Sequence, residues 1–167
     1  MRNIKTRDIV ICGILSALLI IVQVAFASLP NIEFVSFLII IYTLFYRKKI
    51  IMILATFILV EGILYGFGLW WFTYLYVWAI LSVVTYALRK MNSALGWAIV
   101  SGFFGLSFGL LCSFVYLLIG GWSMALSWWI SGIPFDLIHC VSNFLVCLFL
   151  YRPVYSLFCK LEKIDSQ

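Results

Sequence analysis

Long stretches of apolar residues make up most of this chain, and short groups of proline, glycine or basic residues separate them. A helix needs roughly 20 apolar residues to cross about 30 Å of hydrocarbon. The stretches are close to that length, so the pattern predicts six membrane-spanning helices joined by short turns. These helices cover residues 8–29, 32–46, 50–65, 70–88, 95–119 and 132–151, and residues 152–167 form a tail. The predicted fold of residues 1–167 is a single all-α integral membrane domain, a six-transmembrane-helix bundle.

The turns between these helices carry residues that end helices. Pro30 cannot continue the first helix, and Asn31 can cap the second. Glycines close the third helix at residues 66–68 and the fifth at residues 120–121. A short aromatic segment, residues 122–129, is predicted to separate helices five and six. Because the second helix is short for a span, we expect either that its neighbours shield it or that the bilayer around it is thin.

The composition of the chain indicates that lipid, rather than water, surrounds most of it. Of the 167 residues, 66% are hydrophobic and 10% are charged, whereas about a quarter of the residues in a soluble domain are charged. Lipid is therefore the predicted surroundings, and six helices leave no length for a separate soluble domain. The net charge of +5 comes from basic residues in short clusters between apolar stretches. A nucleic-acid partner would require them on one face or in one tail, so none is predicted.

The basic residues also orient the helices. All eleven lysines and arginines fall before the first helix, in the turns at 47–49 and 89–90, or after the sixth helix. With the N-terminus in the cytoplasm, all eleven lie on the cytoplasmic side and none lies in the turns at 30–31, 66–69 and 120–129. This distribution predicts a multi-pass protein of the plasma membrane with both termini in the cytoplasm.

Ionisable residues inside the membrane mark a candidate site. Glu33, Glu61 and Asp136 belong to three different helices, and each lies within about five residues of an outward turn. His139 follows Asp136 by one turn, and Asn143 continues the same helix face at i, i+3 and i+7. Such groups are costly in lipid and normally face a bundle interior or a wet cavity. They predict a cavity in the outer half of the bundle.

Aromatic residues supply the walls of this predicted cavity. Trp71, Tyr74 and Trp78 have the same i, i+3, i+7 spacing on helix four, at a depth that matches the carboxylates. Aromatic walls with a few polar anchors are typical of small-molecule sites. The predicted substrate-binding residues are Asn31, Glu33, Glu61, Trp71, Tyr74, Trp78, Trp128, Asp136, His139 and Asn143.

Structural roles compete with the binding role for most of these residues. Asn31 and Glu33 stand where a helix cap is expected, and Asp136 lies in the first turn of helix six. His139 can simply bond to a neighbouring helix. Glu61 lies in the last turns of its helix, the unfavourable end of the dipole for an acid, so it needs a partner or water. Glu61 therefore favours the binding role.

Small residues at four-residue spacing form a second pattern. Gly13 and Ala17 on helix one, and Ser101, Gly105 and Gly109 on helix five, let helix backbones approach closely. Internal packing is the ordinary role of such residues. The pair on helix one lies near the cytoplasmic end, where it could instead receive a partner protein.

Three segments carry a resemblance to a known family. They are ICGILSA at residues 11–17, PNIE at residues 30–33 and GIPFDLIH at residues 132–139, which precedes Asn143. With six spans and both ends inside, the chain resembles, over nearly its whole length, the substrate-binding S components of energy-coupling factor (ECF) vitamin transporters. The resemblance implies a subunit that binds a scarce micronutrient tightly from outside and topples in the membrane to release it. Its partners would be a transmembrane coupling protein and two ATPase subunits.

The resemblance assigns energy coupling to other chains. Gly13 and Ala17 match the small-residue pair against which the coupling protein docks; a glycine stands where alanine is more usual, and it preserves close approach. The sequence contains no G-x-x-x-x-G-K-[ST] phosphate loop, so ATP would be used by the partner subunits. We therefore expect no cofactor and no enzymatic activity in this chain.

Two other functions stay open. A membrane enzyme would use Asp136, His139 and Glu61 for acid–base or metal chemistry. Against it, the chain has one histidine and no H-E-x-x-H or serine nucleophile motif, so no metal site is predicted. A proton- or cation-coupled carrier would use Glu61 as its relay, although the sequence shows no internal repeat.

The sequence leaves the identity of the solute open. Aromatic walls with carboxylates and a histidine suit a ring-bearing molecule with hydrogen-bond donors or positive charge. Because the outer half contains no lysine or arginine, a strongly anionic ligand is disfavoured. Pyridoxine-, thiamine-, queuine- and cobalamin-type solutes are all candidates.

Overall fold

The computed structural model describes residues 5–29 and 32–165, with side chains as far as Glu162. Within these ranges the chain is all-α, as the sequence predicts, and contains no strand. The helices are α1 (Thr6–Phe26), α2 (Val35–Tyr46), α3 (Ile50–Tyr65), α4 (Leu69–Ala87) and α5 (Ala94–Asp165), with a 3₁₀ turn (Arg47–Lys49) between α2 and α3.

Gly121 reverses the chain inside α5. Its φ of 70° and ψ of −169° are non-helical, and glycine adopts a positive φ at little steric cost. The second arm of α5, residues 122–165, runs back along the first arm, residues 94–120. Trp97 of the first arm stacks on Tyr151 of the second, with ring centroids 6.2 Å apart. The two arms therefore form an antiparallel hairpin.

Two sequence predictions are wrong in this part of the chain. The aromatic segment at residues 122–129 is helical and opens the second arm, because one glycine is enough to turn the chain. The tail predicted for residues 152–167 is helical as far as Asp165. Contacts of aromatic rings with α2, made by Tyr155 and Phe158, hold this extension against the bundle.

The remaining helices lie close to their predicted positions. The third predicted helix, residues 50–65, is confirmed. The first helix ends at Phe26 rather than at residue 29, and the second begins at Val35 rather than at residue 32. A connection longer than the predicted turn therefore joins α1 to α2, and Glu33 belongs to this connection.

Three helices of the described chain are long and apolar enough to cross a membrane, by length and composition. They are Thr6–Phe26, Leu69–Ala87 and Ala94–Glu162, the last of which includes the reversal at Gly121. With 12 and 16 residues, α2 and α3 are shorter than a usual span. The fold is thus that of a helical protein compatible with a membrane.

The short helix α2 lies in the middle of the bundle. It packs against α1, α3, α4 and α5. Eight of the nine residues from Val35 to Thr43 are buried, and Leu38 is the exception. Its sequence is apolar on every side, which is typical of a helix surrounded by protein. The prediction that neighbours shield this helix is confirmed.

The charged residues divide the bundle into two ends. All nine lysines and arginines with described side chains lie at one end, the basic end: at the start of α1, in the 3₁₀ turn, between α4 and α5, and near the end of the second arm. There, Lys49 Nζ lies 2.7 Å from Asp8 Oδ1 and joins the turn to α1. The opposite end, the pocket end, carries the connections around Glu33 and Gly66 and the reversal at Gly121.

Candidate functional site

A cavity of about 180 Å³ opens at the pocket end, between α1, the connection before α2, α4 and both arms of α5. Four of the predicted substrate-binding residues line it: Glu33, Tyr74, Trp78 and His139. They come from three separate segments of the chain: the connection before α2, α4 and the second arm of α5. The prediction of a shared cavity is confirmed for these four side chains.

The polar centre of the cavity is a contact between Glu33 and His139. His139 Nε2 lies 3.1 Å from Glu33 Oε1, and the two side chains are 5% and 15% exposed. The Glu33 carboxylate also accepts hydrogen bonds from the Ser36 hydroxyl and, at 3.0 Å, from the Ser36 backbone N–H. The structural role of Glu33 is confirmed, because its carboxylate bonds to the first turn of α2. The same carboxylate also contacts the histidine in the lining of the cavity. Asn31 lies outside the described residues.

The imidazole of His139 is held in one orientation. Its Nε2 faces Glu33, and the edge of its ring packs on Phe108, with centroids 5.0 Å apart at an interplanar angle of 67°. Its second nitrogen, Nδ1, is buried and has no hydrogen-bond partner among the described residues. One nitrogen is thus engaged by protein, and the other is a buried polar atom without a partner in the described chain.

Aromatic rings form the rest of the described cavity wall, next to this polar contact. Tyr74 and Trp78 pack nearly perpendicular, with centroids 5.2 Å apart, and Trp78 packs in turn on Phe108 at 5.8 Å. Gln23 Nε2 donates to the Tyr74 hydroxyl at 3.4 Å. Trp78 is buried, and its indole Nε1 has no acceptor in the part of the chain that the structure describes. The wall is therefore apolar with one unused donor.

Two residues predicted for the site, Trp71 and Glu61, do not line the cavity. Trp71 Nε1 donates to the Ile58 carbonyl oxygen at 2.9 Å and so ties α4 to α3. Glu61 is 2% exposed, and its Oε1 has no hydrogen-bond partner among the described residues. Glu61 is a buried acid that needs a proton or a partner, as the sequence indicates, but it is not part of the cavity lining.

The hairpin of α5 accounts for two more predicted residues. Asp136 Oδ1 accepts the backbone N–H of Gly109 at 3.0 Å, which fastens the second arm to the first. Trp128 stacks on Tyr116 with centroids 3.9 Å apart, next to the reversal. Asn143 is buried, and neither of its amide atoms has a partner in the described chain. These three side chains lie outside the cavity lining.

The shared helix face of Asp136, His139 and Asn143 is real, since all three are at least 95% buried. This helix face nevertheless extends beyond the cavity, and only His139 of the three residues lines it. Asp136 contacts the first arm, His139 contacts the connection before α2, and Asn143 lies one turn nearer the basic end. The periodicity of the sequence identifies the buried side of the helix, but it does not identify which residues on that side line the cavity.

Sequence reasoning missed six lining residues: Gln23, Phe26, Ala27, Leu29, Ile32 and Phe108. Two of them, Gln23 and Phe108, contact the predicted residues directly. Gln23 continues the buried face of α1, at i+4 from Leu19 and i+7 from Ser16, so this polar residue near the helix end was detectable. Phe108 carries no such signal, because it is one of 15 phenylalanines in an apolar sequence.

The small-residue patterns have two different outcomes. A side chain at Gly105 would place its Cβ 2.7 Å from the His139 carbonyl oxygen, and one at Gly109 would overlap the Asp136 carboxylate. Internal packing is thus confirmed in α5. Gly13 and Ala17 are exposed, and a Cβ at Gly13 would meet no atom within 4 Å. The ordinary interpretation, internal packing, is wrong for this pair.

No family model, curated protein or solved structure matches this chain. Among the described residues, no three His, Cys, Asp or Glu side chains stand together in a way that could hold a metal ion. The cavity brings a carboxylate, an imidazole, a phenol and an amide together with aromatic faces. A flat, polar ring of small size suits this arrangement.

Proposed function

We propose that this chain is the substrate-binding S component of an ECF-type importer, which captures a vitamin-like micronutrient from outside the cell. The observation that carries the proposal is the cavity itself, which Glu33, Tyr74, Trp78 and His139 line. Two atoms of these side chains, His139 Nδ1 and Trp78 Nε1, are buried and have no hydrogen-bond partner among the described residues. Leaving a buried polar group unpaired costs about 1–3 kcal/mol. A ligand that bonds to both atoms would recover this free energy on binding.

In the proposed topology the chain crosses the membrane six times, with both termini in the cytoplasm. The reversal at Gly121 supports it, since it turns one long helix into two antiparallel arms. The charge distribution supports it as well. Every described lysine and arginine side chain lies at the basic end, and cytoplasmic segments carry an excess of such residues. The pocket end then faces outward.

Partner subunits would supply the energy. The sequence has no phosphate-binding loop, so a separate ATPase pair is required by the proposal. Gly13 and Ala17 support docking of a coupling protein on α1, because both lie on its exposed side and leave space for a close helix contact.

The size of the cavity narrows the class of solute. Its volume of about 180 Å³ equals the liquid volume of about six water molecules. A single heteroaromatic ring with small polar substituents, such as a pyridoxine-type solute or the ring portion of a thiamine-type solute, fits that space, whereas a cobalamin-type solute is far larger. The Glu33–His139 contact favours a ligand with both donors and acceptors.

The first test is binding by the purified protein without ATP. We expect mass spectrometry of co-purifying small molecules to identify a ring-bearing solute, and calorimetry to give one site per chain. Trp78→Phe and His139→Gln should each weaken binding at least tenfold, because each replaces a ring that lines the cavity. Trp128→Phe is the matched aromatic control and should bind as the parent does. Equal affinity in all three variants would place the solute elsewhere.

Transport provides the second test, and it separates the proposal from a proton-coupled carrier. The carrier is favoured by Glu61, a buried carboxylate whose Oε1 lacks a partner among the described residues. In vesicles that contain this chain alone, we expect binding and no uptake under a proton gradient. Gradient-driven uptake that Glu61→Gln abolishes would instead establish the carrier.

A further inference from the structure

A second cavity, of about 760 Å³, lies at the basic end between the start of α1, the 3₁₀ turn and the last turns of the second arm. Ile11, Phe45 and Phe158 contribute apolar surface to it, and Arg47 and Lys49 bring basic groups. We call this cavity the basic groove. It is on the opposite end of the bundle from the proposed solute site.

The charges in the basic groove are not balanced within the described chain. Asp8 also lines the groove, but its carboxylate is already engaged by Lys49 Nζ at 2.7 Å and by the Lys5 backbone N–H at 3.3 Å. The Arg47 guanidinium has no hydrogen bond or ion pair with any described residue. Glu162 is a further acid in the lining, and Arg7, Arg47 and Lys49 are its three basic residues. The groove therefore presents an arginine that is available to an anion.

The backbone at Arg47 indicates that the arginine side chain matters. Its φ of 45° and ψ of −114° make it the sole non-glycine residue with positive φ in the described chain. Glycine would adopt this conformation without steric cost, and strained residues concentrate at functional sites. An arginine at a position that suits glycine is explained if its guanidinium has a ligand.

We propose that the basic groove binds the headgroup of an anionic phospholipid, with Arg47 as its principal contact to the phosphate. The apolar surface beside the charge suits a lipid better than a free anion. A stripe of exposed apolar side chains on α1, formed by Ile14, Leu18 and Ile21, continues from Ile11 at i+3, i+7 and i+10 and offers a path for an acyl chain. Basic pockets between helices at the cytoplasmic side are typical sites for anionic headgroups. This inference goes beyond solute capture and needs only that the chain resides in a bilayer.

The test is lipid titration of the delipidated protein in a neutral detergent, followed by native mass spectrometry. Phosphatidylglycerol is the anionic probe, and phosphatidylcholine is its zwitterionic counterpart. We expect Arg47→Gln to weaken phosphatidylglycerol binding at least fivefold. Lys48→Gln is the matched control, because Lys48 is the next residue in the same turn but does not line the groove; it should change binding less than twofold.

Two more variants separate folding from binding. Arg47→Gly should lose phosphatidylglycerol as Arg47→Gln does, yet unfold at the same or a higher temperature in neutral detergent, because glycine relieves the backbone. Glu162→Gln should tighten phosphatidylglycerol binding by removing an acid from the groove.

Three results would overturn the lipid site. The first is an equal loss in Arg47→Gln and Lys48→Gln, which means diffuse attraction to a basic surface. The second is equal binding of phosphatidylcholine. The third is displacement of the lipid by millimolar inorganic phosphate, which means a site for soluble anions. Solute binding at the pocket end, measured on the same samples, should be unchanged in Arg47→Gln, so failure of the proposed function would be visible separately.

Discussion

Replacing Gly109 by alanine tests how closely the two arms of α5 approach. The new methyl group would overlap the Asp136 carboxylate and push it from its hydrogen bond with the Gly109 N–H, which is 3.0 Å long in the native protein. Overpacking of this kind costs about 1–3 kcal/mol, and the lost hydrogen bond costs about 1 kcal/mol. Alanine recovers up to about 1 kcal/mol through its higher helix propensity. The expected net destabilisation is about 2 kcal/mol.

Gly13 provides the matched control for this experiment. It also lies inside a helix, but a Cβ there would meet no atom within 4 Å. Gly13→Ala should therefore gain up to about 1 kcal/mol from helix propensity alone. Unfolding in mixed micelles, followed by circular dichroism, measures both variants against the parent protein. If Gly109→Ala is as stable as Gly13→Ala, the arms do not pack in the way described, and the position of His139 loses its support.

Three further predictions concern the site and its frame. Gly121→Ala should lower the free energy of unfolding by about 1–2 kcal/mol, because alanine is strained at a φ of 70°; chemical denaturation measures it, and an unchanged midpoint would contradict the reversal. Trp71→Phe should lower stability by about 1 kcal/mol through loss of the bond to the Ile58 carbonyl, with solute affinity unchanged by calorimetry; a large loss of affinity would return Trp71 to the cavity. Ser36→Ala should weaken solute binding by about fivefold, because it removes one hydroxyl that positions the Glu33 carboxylate; parental affinity would show that this hydroxyl is dispensable.

Helices and their burial are predictable from this sequence because both follow from local pattern. The third helix has its predicted bounds at Ile50 and Tyr65, where basic residues and a glycine stand directly outside. The second arm of α5 was harder to predict. The sequence indicates a break at Gly120 and Gly121, but it does not indicate that a single residue suffices for the reversal and that Trp122 is already helical.

The candidate site was predictable only in part, because a cavity is a property of neighbouring helices rather than of one helix. Intramembrane acids and a histidine are rare, so composition selects Glu33 and His139 at once. The same rule selects Asp136, which bonds to Gly109, and Glu61, which is buried but does not line the cavity. Depth along a helix can be counted in sequence, whereas the direction in which each helix meets its neighbours requires the fold.

The central position of α2 has a consequence for the order of assembly. The ribosome makes this 12-residue helix early, but the elements that enclose it, α4 and the arms of α5, emerge later. At 12 residues, α2 is too short to span lipid unaided, and its burial depends on those later segments. Glu33, just before α2, can meet His139 only after the second arm of α5 has been synthesised, so the pocket end forms after α2, α3 and α4 have been made.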